Sequence, residues 1–130
     1  MIAVDTNVLV RYFTGDDPEQ AKAATAFIDT LSSERTGFVC LTVMAELYWV
    51  LRGVRGLGAS AALDAIDRLL DAVEIEVEDE ESVYEAVRSA RAGADFADAL
   101  IEQTSRLYTI SETVTFDRRA AGRLGWRLLG

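Results

Sequence analysis

Histidine is absent from this 130-residue chain. That removes Ser-His-Asp triads, His-based phosphodiester cleavage, HExxH zinc chemistry and the imidazole ligands that most transition-metal sites use. Cys40 is the only cysteine, so neither a disulfide nor a Cys-rich zinc site can form within one chain. No stretch approaches the ~18 apolar residues of a membrane span, and the N-terminus lacks a basic leader followed by an apolar run and a small-residue cleavage site. A soluble, cytoplasmic protein is expected. No Pro/Gly/Ser-rich linker, internal repeat or low-complexity segment divides the chain, and half of it is hydrophobic. One domain spanning residues 1–130, with enough apolar surface for a core, is therefore expected.

Positive charge is also scarce. Net charge is -9, from 22 acidic against 13 basic residues, which by simple counting argues against a nucleic-acid partner. The distribution weakens that objection. Eight of the fifteen residues from Asp71 to Glu85 are acidic and read as a solvated face, whereas residues 118–130 carry four arginines and no acid. Lys22 is the only lysine; the other basic residues are all arginine, whose planar fork suits phosphate and carboxylate recognition, although a high-GC genome gives the same bias.

What is present begins with Ile2-Ala3-Val4, a short buried strand running into Asp5-Thr6-Asn7. A helix from about Thr6 to Phe13 follows. Asp17-Pro18 is a strong helix start, and Gly37-Phe38-Val39-Cys40-Leu41 reads as a second strand. Thr42 can cap the next helix, in which Val43, Leu47, Val50 and Val54 mark the buried side. A helix over about Ser60–Val73, a strand at Ile75-Glu76-Val77 and a helix over Ser82–Ala92 come next. Asp95 to Tyr108 is helical, Val114-Thr115-Phe116 is a fourth strand, and Arg118–Gly122 with Trp126–Leu129 make a last turn and short strand. Strands separated by helices require crossover connections, hence a mostly parallel sheet covered on both faces.

The acids fall at unusual places in this pattern. Asp5 is delivered to a strand's carboxyl end, where open α/β sheets collect ligands and chemistry, although it can equally cap the following helix. Glu46 lies three residues after Val43 and four before Val50, which places a carboxylate on an apolar stripe and calls for a cationic partner, unless it sits at the stripe's edge and reaches water. Asp95 and Asp98, at i and i+3, share one side of a helix start. The helix dipole favours an N-terminal acid and accounts for Asp95, but it leaves Asp98 without a structural role. Asp117 follows the fourth strand as Asp5 follows the first. Carboxylates from separate elements, without His or Cys, make a hard, all-oxygen set that suits Mg²⁺ or Mn²⁺ and implies phosphodiester or phosphoester hydrolysis.

Asp5-Thr6-Asn7, Ala45-Glu46-Leu47, Ala94-Asp95-Phe96-Ala97-Asp98-Ala99-Leu100-Ile101 and Thr115-Phe116-Asp117 resemble the acidic motifs of PIN-domain ribonucleases, specifically the VapC-like toxins of type II toxin-antitoxin systems. Order, spacing and length fit over essentially the whole chain. The resemblance implies a three-layer α/β/α sandwich with a mostly parallel central sheet and Mg²⁺- or Mn²⁺-dependent cleavage of single-stranded RNA. It further implies homodimers and inhibition by a cognate antitoxin that covers the site. By position it makes Asp5 and Asp98 the principal metal ligands, has Glu46 complete or bridge the site, and lets Asp117 bind metal directly or through water. Asp95 is a possible accessory ligand or only a cap, and Thr6, Asn7 and Thr115 would orient the carboxylates or a bound phosphate. Tyr108-Thr109-Ile110-Ser111 departs from the Gly-containing turn common before the last motif.

Other classes fit less well. A receiver domain needs a Lys near its last strand, and a haloacid-dehalogenase-type phosphatase needs a second Asp where Asn7 stands. The non-enzymatic alternative is an acidic α/β binding module for a basic partner. Selective thermal stabilisation by Mg²⁺ or Mn²⁺ separates it from a metal-dependent nuclease.

Overall fold

Three short parallel strands organise the first of two compact units, Met1–Glu80; the second is Glu81–Gly130. The computed structural model describes all 130 residues. In the first unit, β1 (Ile2–Ala3), β2 (Gly37–Val39) and β3 (Ile75–Val77) pair in the order β1-β2-β3, with Ile2, Gly37 and Ile75 in register. Gly37 is required by this packing. A Cβ there would stand 2.9 Å from Leu31 Cδ1, 3.1 Å from Ile75 Cδ1 and 3.2 Å from Val4 Cγ2. The alternation of Ile75-Glu76-Val77 correctly marked β3, whereas β2 ends two residues earlier than expected, because Leu41 already belongs to the following helix.

Helices α1 (Thr6–Thr14) and α2 (Pro18–Asp29) join β1 to β2. The Asp17-Pro18 start is realised as expected: the Asp17 side chain accepts from Gln20 N at 3.1 Å, and Pro18 takes the first helical position, where its missing N–H costs nothing. Gly15, at φ +65°, ends α1 in the left-handed region that glycine enters freely. Asp16 beside it receives Arg11 at 2.9 Å and Arg55 at 2.5 Å. The Thr14 hydroxyl, with these two guanidinium groups, holds its carboxyl below the ordinary range.

Helix α3 (Leu41–Trp49) corrects two expectations. Its N-cap is Cys40, with Thr42 already inside the helix, and its buried side is made by Val43, Met44, Leu47 and Tyr48, continuing to Leu51. That face is rotated away from Glu46 and Val50. The helix then widens into a π-helical segment, Val50–Val54, in which Arg55 N reaches back five residues to Val50 O at 2.8 Å. The wider turn breaks the α phase that would have buried Val54, which is 60% exposed. Helix α4 (Ala59–Asp71) leads into β3 and buries Leu63, Ile66 and Leu69.

The second unit contains α5 (Glu80–Arg91, its first residue closing the first unit), α6 (Phe96–Ser105), β4 (Val114–Thr115), α7 (Arg118–Leu124) and β5 (Arg127–Leu128). β4 and β5 pair in parallel, Val114 with Arg127 and Thr115 with Leu128, so the last strand is the return leg of a crossover through α7. Val83, Ala86, Phe96 and Ala99 are fully or almost fully buried here. The α/β class and wholly parallel pairing expected from the sequence are observed, with the strands in a three-stranded and a two-stranded sheet. No helix is long and apolar enough to cross a membrane.

Candidate active site

In the first unit the ladder carries on past β1, Val4 N donating to Phe38 O at 2.9 Å, and the chain then turns into α1 at Asp5. Asp5 takes the N-cap position with extended backbone (φ -78°, ψ 156°), yet its side chain accepts no helix N–H. The capping explanation of Asp5 therefore fails: its carboxylate is exposed and uncommitted, in a cleft of about 310 Å³ otherwise lined by Ala3, Val4, Phe38, Cys40 and Val43.

Thr6, next in the chain, is only 4% exposed, and its hydroxyl donates to Glu46 Oε1. Glu46 is itself exposed, at the edge of the apolar stripe and not on it, and its protein partner is this neutral hydroxyl, not the cation expected for a buried carboxylate. The rotated face of α3 is the reason: an acid that still reaches water needs no counter-ion. Asn7 is exposed and lines a neighbouring cleft with Val8, Arg11 and Phe27, apart from the Thr6–Glu46 pair.

One residue in this unit escaped sequence reasoning. Glu78, just past β3, accepts from Leu41 N at 2.8 Å and so satisfies a free N–H at the start of α3, the helix that bears Glu46. It was hidden in the acidic run Asp71–Glu85. A polar residue at the carboxyl end of a parallel strand was the available signal.

In the second unit the three aspartates divide by role. Asp95 is the N-cap of α6, its Oδ2 accepting from Asp98 N at 3.1 Å. Asp117 is the N-cap of α7, its Oδ1 accepting from Arg119 N at 2.8 Å and Ala120 N at 3.0 Å, while the Thr115 hydroxyl receives Asp117 N at 2.9 Å. Thr115 thus positions the backbone of Asp117 as a turn at the strand's end. Asp98 caps nothing. Partial burial, then the charge of Asp95, then that of Asp117, push its carboxyl above the ordinary range.

The structure brings Thr6 to Glu46 and places Asp98 in the field of Asp95 and Asp117; nowhere are three or more acidic or cysteine side chains gathered tightly enough to enclose an ion. Taken unit by unit, the donor chemistry nonetheless fits a hard divalent cation. Asp5 and Asp98 commit no oxygen to a cap, Glu46 Oε2 lies outside the Thr6 bond, and Asp117 Oδ2 lies outside its cap.

The family model described as the PIN domain matches residues 2–124. It covers the acid-bearing elements of both units. No curated protein matches the chain.

Proposed function

The chain belongs to the PIN-domain family, whose members are generally metal-dependent nucleases, and on that premise we propose that it is a Mg²⁺- or Mn²⁺-dependent endoribonuclease cleaving single-stranded RNA. Asp5 and Glu46 in the first unit, and Asp98 and Asp117 in the second, are the carboxylates proposed as metal ligands. The observation that carries this reading is that Asp5 takes the N-cap position of α1 without accepting a helix N–H, and that Asp98, in the first turn of α6, is a second acid where Asp95 already fills the cap. Carboxylates kept free at two helix starts have a use other than local structure.

When bound, the ion would supply Lewis-acid stabilisation of phosphate charge and a more acidic water. The chain's own residues do the rest. Thr6 fixes one oxygen of Glu46 and leaves the other to a ligand. Thr115 and the α7 amides hold Asp117 with one oxygen turned away from the cap. Arg118 and Arg119 follow Asp117 directly, are exposed, and give an otherwise acidic chain cationic groups for RNA phosphates.

A toxin role, in the cytoplasm, with an antitoxin covering the site, is the finer form of the proposal. An Arg or Lys from a partner peptide would satisfy the free carboxylates through charge-assisted hydrogen bonds. Homodimers fit the exposure of Trp49, Val54 and Leu57 along one short stretch of the first unit.

The test is cleavage of single-stranded RNA by the purified protein in Mg²⁺ or Mn²⁺, with loss of activity on chelation and in Asp5→Asn. Cleavage that persists in chelator, or that Asp5→Asn leaves intact, overturns the proposal. A thermal response to Mg²⁺ no different from that of Asp5→Asn would favour an acidic binding module.

A further inference from the structure

We infer that Arg123 is a positioning residue, clamped on the backbone at Gly93, that sets where Asp98 stands relative to Asp117. The inference rests on the proposal that those two aspartates are metal ligands. Helices α6 and α7 each begin at an aspartate, Asp95 and Asp117, so like charge stands at both helix starts.

Arg123, in the last turn of α7, reaches back 31 residues in sequence: its Nη1 donates to Ala92 O at 3.0 Å, at the end of α5. The guanidinium also lies directly against Gly93. A Cβ on that residue would be 2.6 Å from Nη1, 2.7 Å from Cζ and 2.9 Å from Nη2, so the contact exists only because residue 93 has no side chain. Gly93 is further held at φ +117°, which L side chains rarely adopt, with its N–H donating to Ala90 O at 3.0 Å. Two residues later comes Asp95, the cap of the helix that carries Asp98. One guanidinium therefore ties the helix that Asp117 begins to the segment that delivers Asp95 and Asp98.

A second tie strengthens the arrangement: Trp126 Nε1 donates to Glu102 Oε2 at 2.6 Å, joining α6 to the chain just after α7. Both fasten the carboxyl-terminal side of α7, and a helix this short passes their restraint to its N-cap Asp117, roughly 9 Å from Arg123 at 1.5 Å per residue.

The test is the midpoint of thermal stabilisation of the full chain by Mg²⁺ and by Mn²⁺. Arg123→Met, which keeps an unbranched stem and removes the guanidinium, is expected to raise that midpoint about tenfold, the usual scale for losing a group that orients metal ligands. Electrostatics alone predict the reverse, because removing a positive charge tightens cation binding. Arg123→Lys should recover part of the loss. Gly93→Ala should weaken binding by pushing the guanidinium aside, and combining it with Arg123→Met should add nothing, since both break one contact. A midpoint unchanged in Arg123→Met and Gly93→Ala, with only the metal-free melting temperature lowered, reduces Arg123 to a structural residue and overturns the inference. No metal response in the unsubstituted protein defeats the ligand assignment first, and the clamp with it.

Discussion

Glu46 and Asp98 are both acids on helices, flanked by apolar residues, and the two units treat them in opposite ways. In the first unit a neutral hydroxyl from Thr6 accommodates Glu46, and the pair adds to the local structure. In the second, Asp98 is partly buried among other carboxylates with no cation, and its ionised form works against the fold. Free energy set against stability is thus concentrated at Asp98, as expected where function and not folding has selected a residue.

The contrast is broken most severely by Asp98→Asn. Under the proposed function cleavage should fall by about a thousandfold, the equivalent of several kcal/mol of transition-state stabilisation, while the metal-free melting temperature at pH 7 rises. The sign follows from linkage. Asp98 has a folded pKa above its unfolded value, so its ionisation opposes folding at every pH above the folded pKa, and the opposition fades as pH falls from there toward 3.8. The stability gap between Asp98→Asn and the unsubstituted protein should accordingly be widest near neutrality and close on acidification. A gap that is constant with pH, or a variant that melts lower at pH 7 and still cuts RNA, would make Asp98 structural.

A smaller effect is expected on the other side of the comparison. Thr6→Val keeps shape and burial but removes the donor to Glu46, at a cost of about 1 kcal/mol because the carboxylate can turn to water, and it should weaken Mg²⁺ stabilisation. Thr6→Ser should restore both in chemical denaturation and metal titration. Equal behaviour of Val and Ser would show that the hydroxyl holds nothing.

Smallest of all should be Asp95→Asn. The amide oxygen can still accept from Asp98 N, and the lost helix-dipole attraction, about 0.3–1 kcal/mol, is opposed by relief of repulsion on Asp98. A net change within about 0.5 kcal/mol and largely retained cleavage are expected. Loss of cleavage comparable to that of Asp98→Asn would promote Asp95 from cap to ligand.

What could be read in the sequence was what neighbours determine. Asp17-Pro18 starts a helix through atoms within one turn, Ile75-Glu76-Val77 alternates because a strand does, and the excess acid at Asp98 stands out because Asp95 already fills the cap. The acid motifs and the parallel class were legible for the same reason. What could not be read depends on partners far along the chain or on a helix losing its period. Thr6 meets Glu46 across 40 residues, Glu78 serves Leu41 across 37, and Arg123 reaches Ala92 across 31. The burial of α3 was misjudged because the apolar residues 43, 44, 47, 48 and 51 outweigh the alternative 43, 47, 50, 54, and the π-helical segment removes the last of these from the stripe.

That segment has a consequence for chain length. A π turn accommodates one residue more than an α turn, and Val50–Val54 is followed at once by Arg55, whose guanidinium meets Asp16 at the corner between α1 and α2. Deleting a single residue there would restore an ordinary α turn and swing the following positions by about 100° around the axis, carrying the arginine off its aspartate. The extra residue is a register shim: it lets one helix run at α pitch past Glu46 and still present Arg55 to a corner laid down some forty residues earlier.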